Sequence, residues 1–162
     1  MALIVEDGTG VANAESLASV AFADTYHANR GNIAWADIAD VATKEQLLRK
    51  ATDYAVAKYG PSLAGVPVYD NQSLPFPRTV SGANIGVPVS VQQAIAELAL
   101  SAKTSPLMPN IVRGKKKVKV GPIEVEYDGN SAVATIFVAA SLRFAPFLSG
   151  VASGAMVKLV RT

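Results

Sequence analysis

The chain is expected to be mainly α: a small helical bundle with a projecting β-hairpin, a long Pro/Gly-rich loop and an extended C-terminal tail. Three observations point there. Capped segments with apolar residues at helical spacing recur along the chain. Residues 60–89 hold five prolines and four glycines, which excludes a long helix or a central strand there. Residues 115–130, KKKVKVGPIEVEYDGN, alternate on both sides of Gly121-Pro122 as a hairpin does. With 162 residues and half of them hydrophobic, the chain has material for one core. Residues 1–149 are therefore read as one domain, followed by a tail at 150–162.

Taken in order, Leu3-Ile4-Val5 is extended and Asp7-Gly8-Thr9-Gly10 supplies a turn. Ser16 or Ser19 can cap a first helix over Val20 to Arg30, in which Phe22 and Tyr26 share a face with Ala23. Asn32 to Ala42 reads as a connector holding Trp35, the sole tryptophan. A second helix starts from Thr43 as N-cap with Gln46 three residues later and stops at Gly60-Pro61, with Leu47, Leu48, Ala51, Tyr54 and Ala55 inward. After the proline-rich segment, Ser90 with Gln93 opens a third helix. Its apolar side is Val91, Ala94, Ile95, Leu98, Ala99 and Ala102, and Pro106 and Pro109 lie beyond its end. The hairpin at about 115–128 sets lysines against glutamates across its strands, which resists a register slip. Ala134 to Leu148 suits a helix broken near Pro146, with a strand as the alternative.

The chemistry is sparse. There is no cysteine, which excludes thiol catalysis, disulfides and Cys-based metal sites. His27, the single histidine, has no soft second ligand and is read as structural. The Asp7–Gly10 turn lacks the lysine of a phosphate loop and the spacing of a dinucleotide turn. Asp37 with Asp40, and Glu124 with Glu126, read as a capping region and a solvated hairpin edge. No motif with a mechanism emerges, so no enzyme, cofactor or metal is expected. No signal peptide or membrane span is expected, and the protein is placed in the cytoplasm where it is made.

The net charge of +2 excludes a protein that coats nucleic acid through overall charge, leaving local patches. The densest is Arg113, Lys115, Lys116, Lys117 and Lys119, five of the fifteen basic residues. Such a run can neutralise phosphates, although Glu124, Glu126 and Asp128 can offset it across the hairpin. On the residues alone, cross-strand pairing and partner contact rank above direct nucleic-acid recognition. The strand-like tail residues Met156, Val157, Lys158, Leu159, Val160 and Arg161 can order by adding to a neighbour.

Several pieces together resemble one family: MALIVEDGTG, ANAESLASVAFADTYHANRGN, LLRKATDYAVAKYG, LPFPR at 74–78, VPVSVQQAIAELAL and KVKVGPIEVEYD. They are similar to tailed-phage proteins often labelled DnaT-like single-stranded DNA-binding, and to the small head-tail connector (adaptor) proteins of phage necks. Two expectations follow. The connector likeness, taken as the main one, implies a structural virion protein made in the host cytoplasm and located in the neck. It forms a ring, expected to be dodecameric, that joins the portal protein to a tail or second neck protein while double-stranded DNA passes through. In it, the lysine run faces the channel or a neighbouring subunit, residues 156–161 dock on the portal or an adjacent subunit, and Leu74, Phe76 and Arg78 anchor the loop. The DNA-binding label implies instead a single-stranded DNA-binding accessory of replication.

Overall fold

A computed structural model describes residues 2–109, the strands at 117–120 and 123–126, and residues 135–149. The described residues are mainly helical, as the sequence predicts: α1 (Val20–Ala28), α2 (Ile33–Ala36), α3 (Val41–Tyr59), α4 (Val89–Thr104) and α5 (Val138–Phe144). Two short sheets join them, one of β1 (Val66–Pro67), β2 (Arg78–Val80) and β3 (Ala83–Ile85) in that order, the other of β4 (Lys117–Val120) and β5 (Ile123–Glu126).

α4 is the central helix. Val91, Ala94, Ile95, Ala96, Leu98 and Ala99 are all buried, more than one stripe can account for, because α1, α3 and α5 each pack against it. The alanines let those neighbours approach closely. Leu48, Ile95 and Leu98 are wholly buried, each stabilising the fold by about 1.5–3 kcal/mol relative to exposure. α3 turns Leu47, Leu48, Ala51, Tyr54 and Ala55 inward, the predicted stripe. α5 adds Ala140 and Phe144, the latter stacked on Tyr59 with ring centroids 4.4 Å apart.

The helix starts differ from expectation where two capping signals compete. Ser19 caps α1 as anticipated, accepting from the Phe22 amide. α3 begins earlier than Thr43: Asp40 accepts from the Ala42 and Thr43 amides, and the Thr43 hydroxyl donates to the same carboxylate. An aspartate accepts two amide bonds where a threonine hydroxyl accepts one, so it wins the cap. α4 starts at Val89 from Pro88, with no side-chain cap, so Ser90 lies inside the first turn. The 32–42 connector holds α2, which buries Trp35.

The proline-rich segment is ordered, and it contains the three-stranded antiparallel sheet that prolines seemed to preclude. The strands are only two or three residues long, so the prolines fall at their ends. Ser81 and Gly82, both at positive φ, close the β2–β3 turn between the partners Val80 and Ala83, a two-residue hairpin turn that suits strand twist. Gly65 is required at the β1–β2 crossing: its φ is +73°, and a Cβ there would collide with the Thr79 carbonyl oxygen. Of the segment read over 134–148, residue 134 lies outside the described residues, and the helix alternative holds over 138–147: α5 is followed by a 3-10 turn over Ala145–Phe147 that contains Pro146.

Candidate functional site

The loop-anchor residues lead into the small sheet: Arg78 is the first residue of β2, and Leu74 and Phe76 precede it. Leu74 and Phe76 are buried, and Phe76 meets Phe147 edge to face with centroids 6.1 Å apart. Arg78 is buried too, and its guanidinium serves four backbone carbonyls: Nε to Ala64 at 2.9 Å, and terminal nitrogens to Pro75 at 3.1 Å, Leu63 at 3.3 Å and Gly65 at 2.6 Å. Burial pulls its pKa below the ordinary arginine value. A planar five-donor fork can hold several carbonyls at once, which an ammonium cannot. Arg78 is therefore a staple for the loop rather than a cation offered to solvent.

The Asp7–Gly10 turn does bind an anion, and the anion is the chain's own. The buried Glu6 carboxylate accepts from the Gly8, Gly10 and Val11 amides at 2.8–2.9 Å. Successive amides converging on one oxyanion form the concavity that phosphates use elsewhere. Here it is filled, so the turn is structural. The lone acid before Asp-Gly-x-Gly was the sequence signal for this arrangement.

His27 is also structural. Its ring is buried, with Nε2 3.1 Å from the Ala96 carbonyl oxygen and Nδ1 2.9 Å from the Asn32 side-chain nitrogen. A carbonyl only accepts, so Nε2 carries the hydrogen and Nδ1 accepts from the amide. Burial, the largest influence, lowers its pKa below the ordinary histidine value. Asp40 caps α3 and Asp37 ends α2, so the two acids serve helix ends. Among the described residues, no group of three or more His, Asp or Glu is placed to hold a metal ion.

Sequence reasoning missed a polar cluster joining three helices. The Tyr26 hydroxyl on α1 donates to Glu97 Oε1 on α4 at 2.5 Å and accepts from Arg143 on α5 at 2.6 Å. Arg30 stacks on the Tyr26 ring, its guanidinium carbon 3.7 Å from the centroid. These partners are 71 and 117 residues apart, so spacing could not reveal them.

The basic run has a different character. Arg113, Lys115 and Lys116 lie outside the described residues, as do the tail residues Met156, Val157, Lys158, Leu159, Val160 and Arg161. Lys117 and Lys119 stand on β4, and the register sets Lys117 opposite Glu126 and Lys119 opposite Glu124. This is the antiparallel lysine–glutamate ladder that the sequence predicts.

The charge balance then locates electropositive character. Residues 1–109 and 135–149 hold eight Lys/Arg against ten Asp/Glu, whereas 110–134 and 150–162 together hold seven against three. Within the helical body most cations are already engaged. Lys44 pairs with Asp24 at 2.8 Å, Arg49 with Glu15 at 2.8 Å, Arg143 lies 3.8 Å from Glu97, and Lys103 donates to the Ala34 carbonyl. The acidic body offers polyanions little; the hairpin segment and the C-terminal residues carry the excess positive charge.

A family model described as "Putative DnaT-like ssDNA binding protein" matches residues 1–162. No curated protein matches the chain, and neither does any solved structure. This family match overturns the connector reading. The structural virion role and what accompanied it (portal binding, a dodecameric neck ring, virion assembly, DNA packaging) find no counterpart in the family, whose description names single-stranded DNA binding. Among the described residues, no helix is long and apolar enough to cross a membrane.

Proposed function

The chain belongs to the DnaT-like single-stranded-DNA-binding family, and we propose that it binds single-stranded DNA through its basic hairpin segment, as a binding protein and not an enzyme. One observation supports this placement above others: the positive charge is concentrated outside an acidic helical body. A polyanion is drawn to the region with excess cations and repelled by the rest, which orients the encounter.

Within the segment, the register sets Lys117 and Lys119 opposite glutamates, while Arg113, Lys115 and Lys116 precede it in sequence. The latter three are assigned the main phosphate contacts. Stacking contributes less: among the described residues Tyr69 is the exposed aromatic, and it stands beside Asp70. Binding carried by phosphates and not by base edges is tolerant of sequence and steeply dependent on salt.

Fluorescence anisotropy with a labelled oligothymidylate and a duplex of equal length tests this reading. Preferential binding of the single strand, weakening as salt is added, is the expected result. Absence of binding, or tighter binding of the duplex, would overturn it.

A further inference from the structure

A groove of about 660 Å³ opens between the end of α3 and the loop leading to β2. Val56, Pro61, Val66, Pro67, Tyr69 and Leu74 supply its apolar walls, and Asp70 its negative charge. Val66 and Tyr69 are 63% and 47% exposed, large apolar groups left facing water. β1, which includes Val66, is an edge strand of its sheet.

The described chain leads to this groove. Leu148 pairs antiparallel with Leu63, and the Ala64 amide donates to the Phe147 carbonyl at 2.8 Å. The Ser149 amide and hydroxyl both donate to the Ser62 carbonyl, at 2.7 and 2.9 Å. Each step forward from 147 to 149 is thus a step backward from 64 to 62. The next position along that course is Pro61, a wall of the groove.

Thirteen residues follow, GVASGAMVKLVRT. They include Val151, Met156, Val157, Leu159 and Val160, two cations (Lys158 and Arg161) and no acid. Extended, they span up to about 45 Å, ample for the groove. We propose that this groove is the docking site of the chain's own residues 150–162. Their apolar side chains cover Val66 and Tyr69, and their cations complement Asp70. The docking is intramolecular, because the segment leaves Ser149 one residue from the groove wall. It does not depend on the DNA-binding reading.

The chain has no cysteine, so Thr162→Cys in the full-length protein accepts a single nitroxide label. Paramagnetic broadening of backbone amides is the readout. The expected result is that the amide signals of Val66, Tyr69 and Gln72 are at least halved while most of the helical body is spared. Val66→Lys and Asp70→Lys, both at exposed positions, should each restore those signals without lowering the melting temperature. Diffuse weak broadening, or strongest broadening at Val138 and Leu142 on α5 and at Ile136 just before it, would overturn the proposal, as would persistence of the effect in both variants. So would broadening seen only between labelled and isotope-enriched copies in a mixed sample, which would assign the groove to a second copy.

Discussion

His27 Nε2 lies 3.1 Å from the carbonyl oxygen of Ala96, tying α1 to the central helix α4 through a ring that is almost wholly buried. The contact requires the neutral ring, because Nδ1 is occupied as an acceptor from Asn32. Trp35 packs beside the same ring, 4.9 Å between centroids, so the polar contact sits inside an aromatic one.

This arrangement sets a pH dependence. Burial, partly opposed by the Ala96 carbonyl and by Glu97 and Asp24 and reinforced by Arg30, holds the folded pKa below its ordinary value. Above about pH 6.5 both folded and unfolded states carry a neutral ring. As pH falls through that value the unfolded chain takes up the proton first, so stability declines until the lowered folded pKa is reached. The melting temperature should fall between about pH 7.5 and about pH 5.5, and His27→Gln should flatten that slope. The lowered carboxylates Asp7, Glu15 and Asp40 lose their contributions only below roughly pH 4, outside this window. An unchanged slope in His27→Gln would assign the effect elsewhere.

Arg78 offers a test of chemistry against charge. Arg78→Lys keeps the cation but loses the fork that serves four carbonyls, and should destabilise the protein by about 2–3 kcal/mol in urea unfolding. The salt dependence of DNA binding should be untouched, since Arg78 is turned inward. A variant with full stability and weakened DNA binding would show the reverse role.

Tyr26 joins three helices through one hydroxyl. Tyr26→Phe removes the bonds to Glu97 and Arg143 while leaving the ring under Arg30, and should cost about 1.5 kcal/mol. Combined with Glu97→Ala, the loss should be less than the sum of the single losses, because both changes break the same bond. Strict additivity would mean that the hydroxyl and the carboxylate act separately.

Elements that depend on local pattern were legible in the sequence. The α3 stripe from Leu47 to Ala55, the hairpin register pairing Lys117 with Glu126, and the break at Pro146 each follow from spacing within a few residues. The start of α3 was misplaced because Asp40 and Thr43 are both good caps, and the choice falls to the residue that accepts more bonds. The small sheet was hidden by its prolines, although Ser81-Gly82 carried the signal of a tight turn. The contacts that tie the core, Tyr26 with Glu97 and Arg78 with the 63–65 carbonyls, join residues whose chemistry is ordinary and whose proximity is set only by packing. For function, the lysine run and the glutamates opposite Lys117 and Lys119 were both visible in the sequence. The acidic balance of residues 1–109 and 135–149, which leaves the excess cations to the hairpin segment and the C-terminal residues, emerges only from comparing regions and not from any single motif.

The most direct measurement is the salt dependence of oligothymidylate affinity for the full chain and for two variants, Arg113→Ser/Lys115→Ser/Lys116→Ser and Lys117→Ser/Lys119→Ser. Each phosphate contact on a single strand contributes about 0.7 to the slope of log affinity against log salt. The triple variant should lower that slope by about 2 with a marked loss of affinity, and the double variant, whose lysines stand opposite glutamates, should lower it by less. Equal slopes for all three proteins would contradict an interface built on the basic hairpin segment.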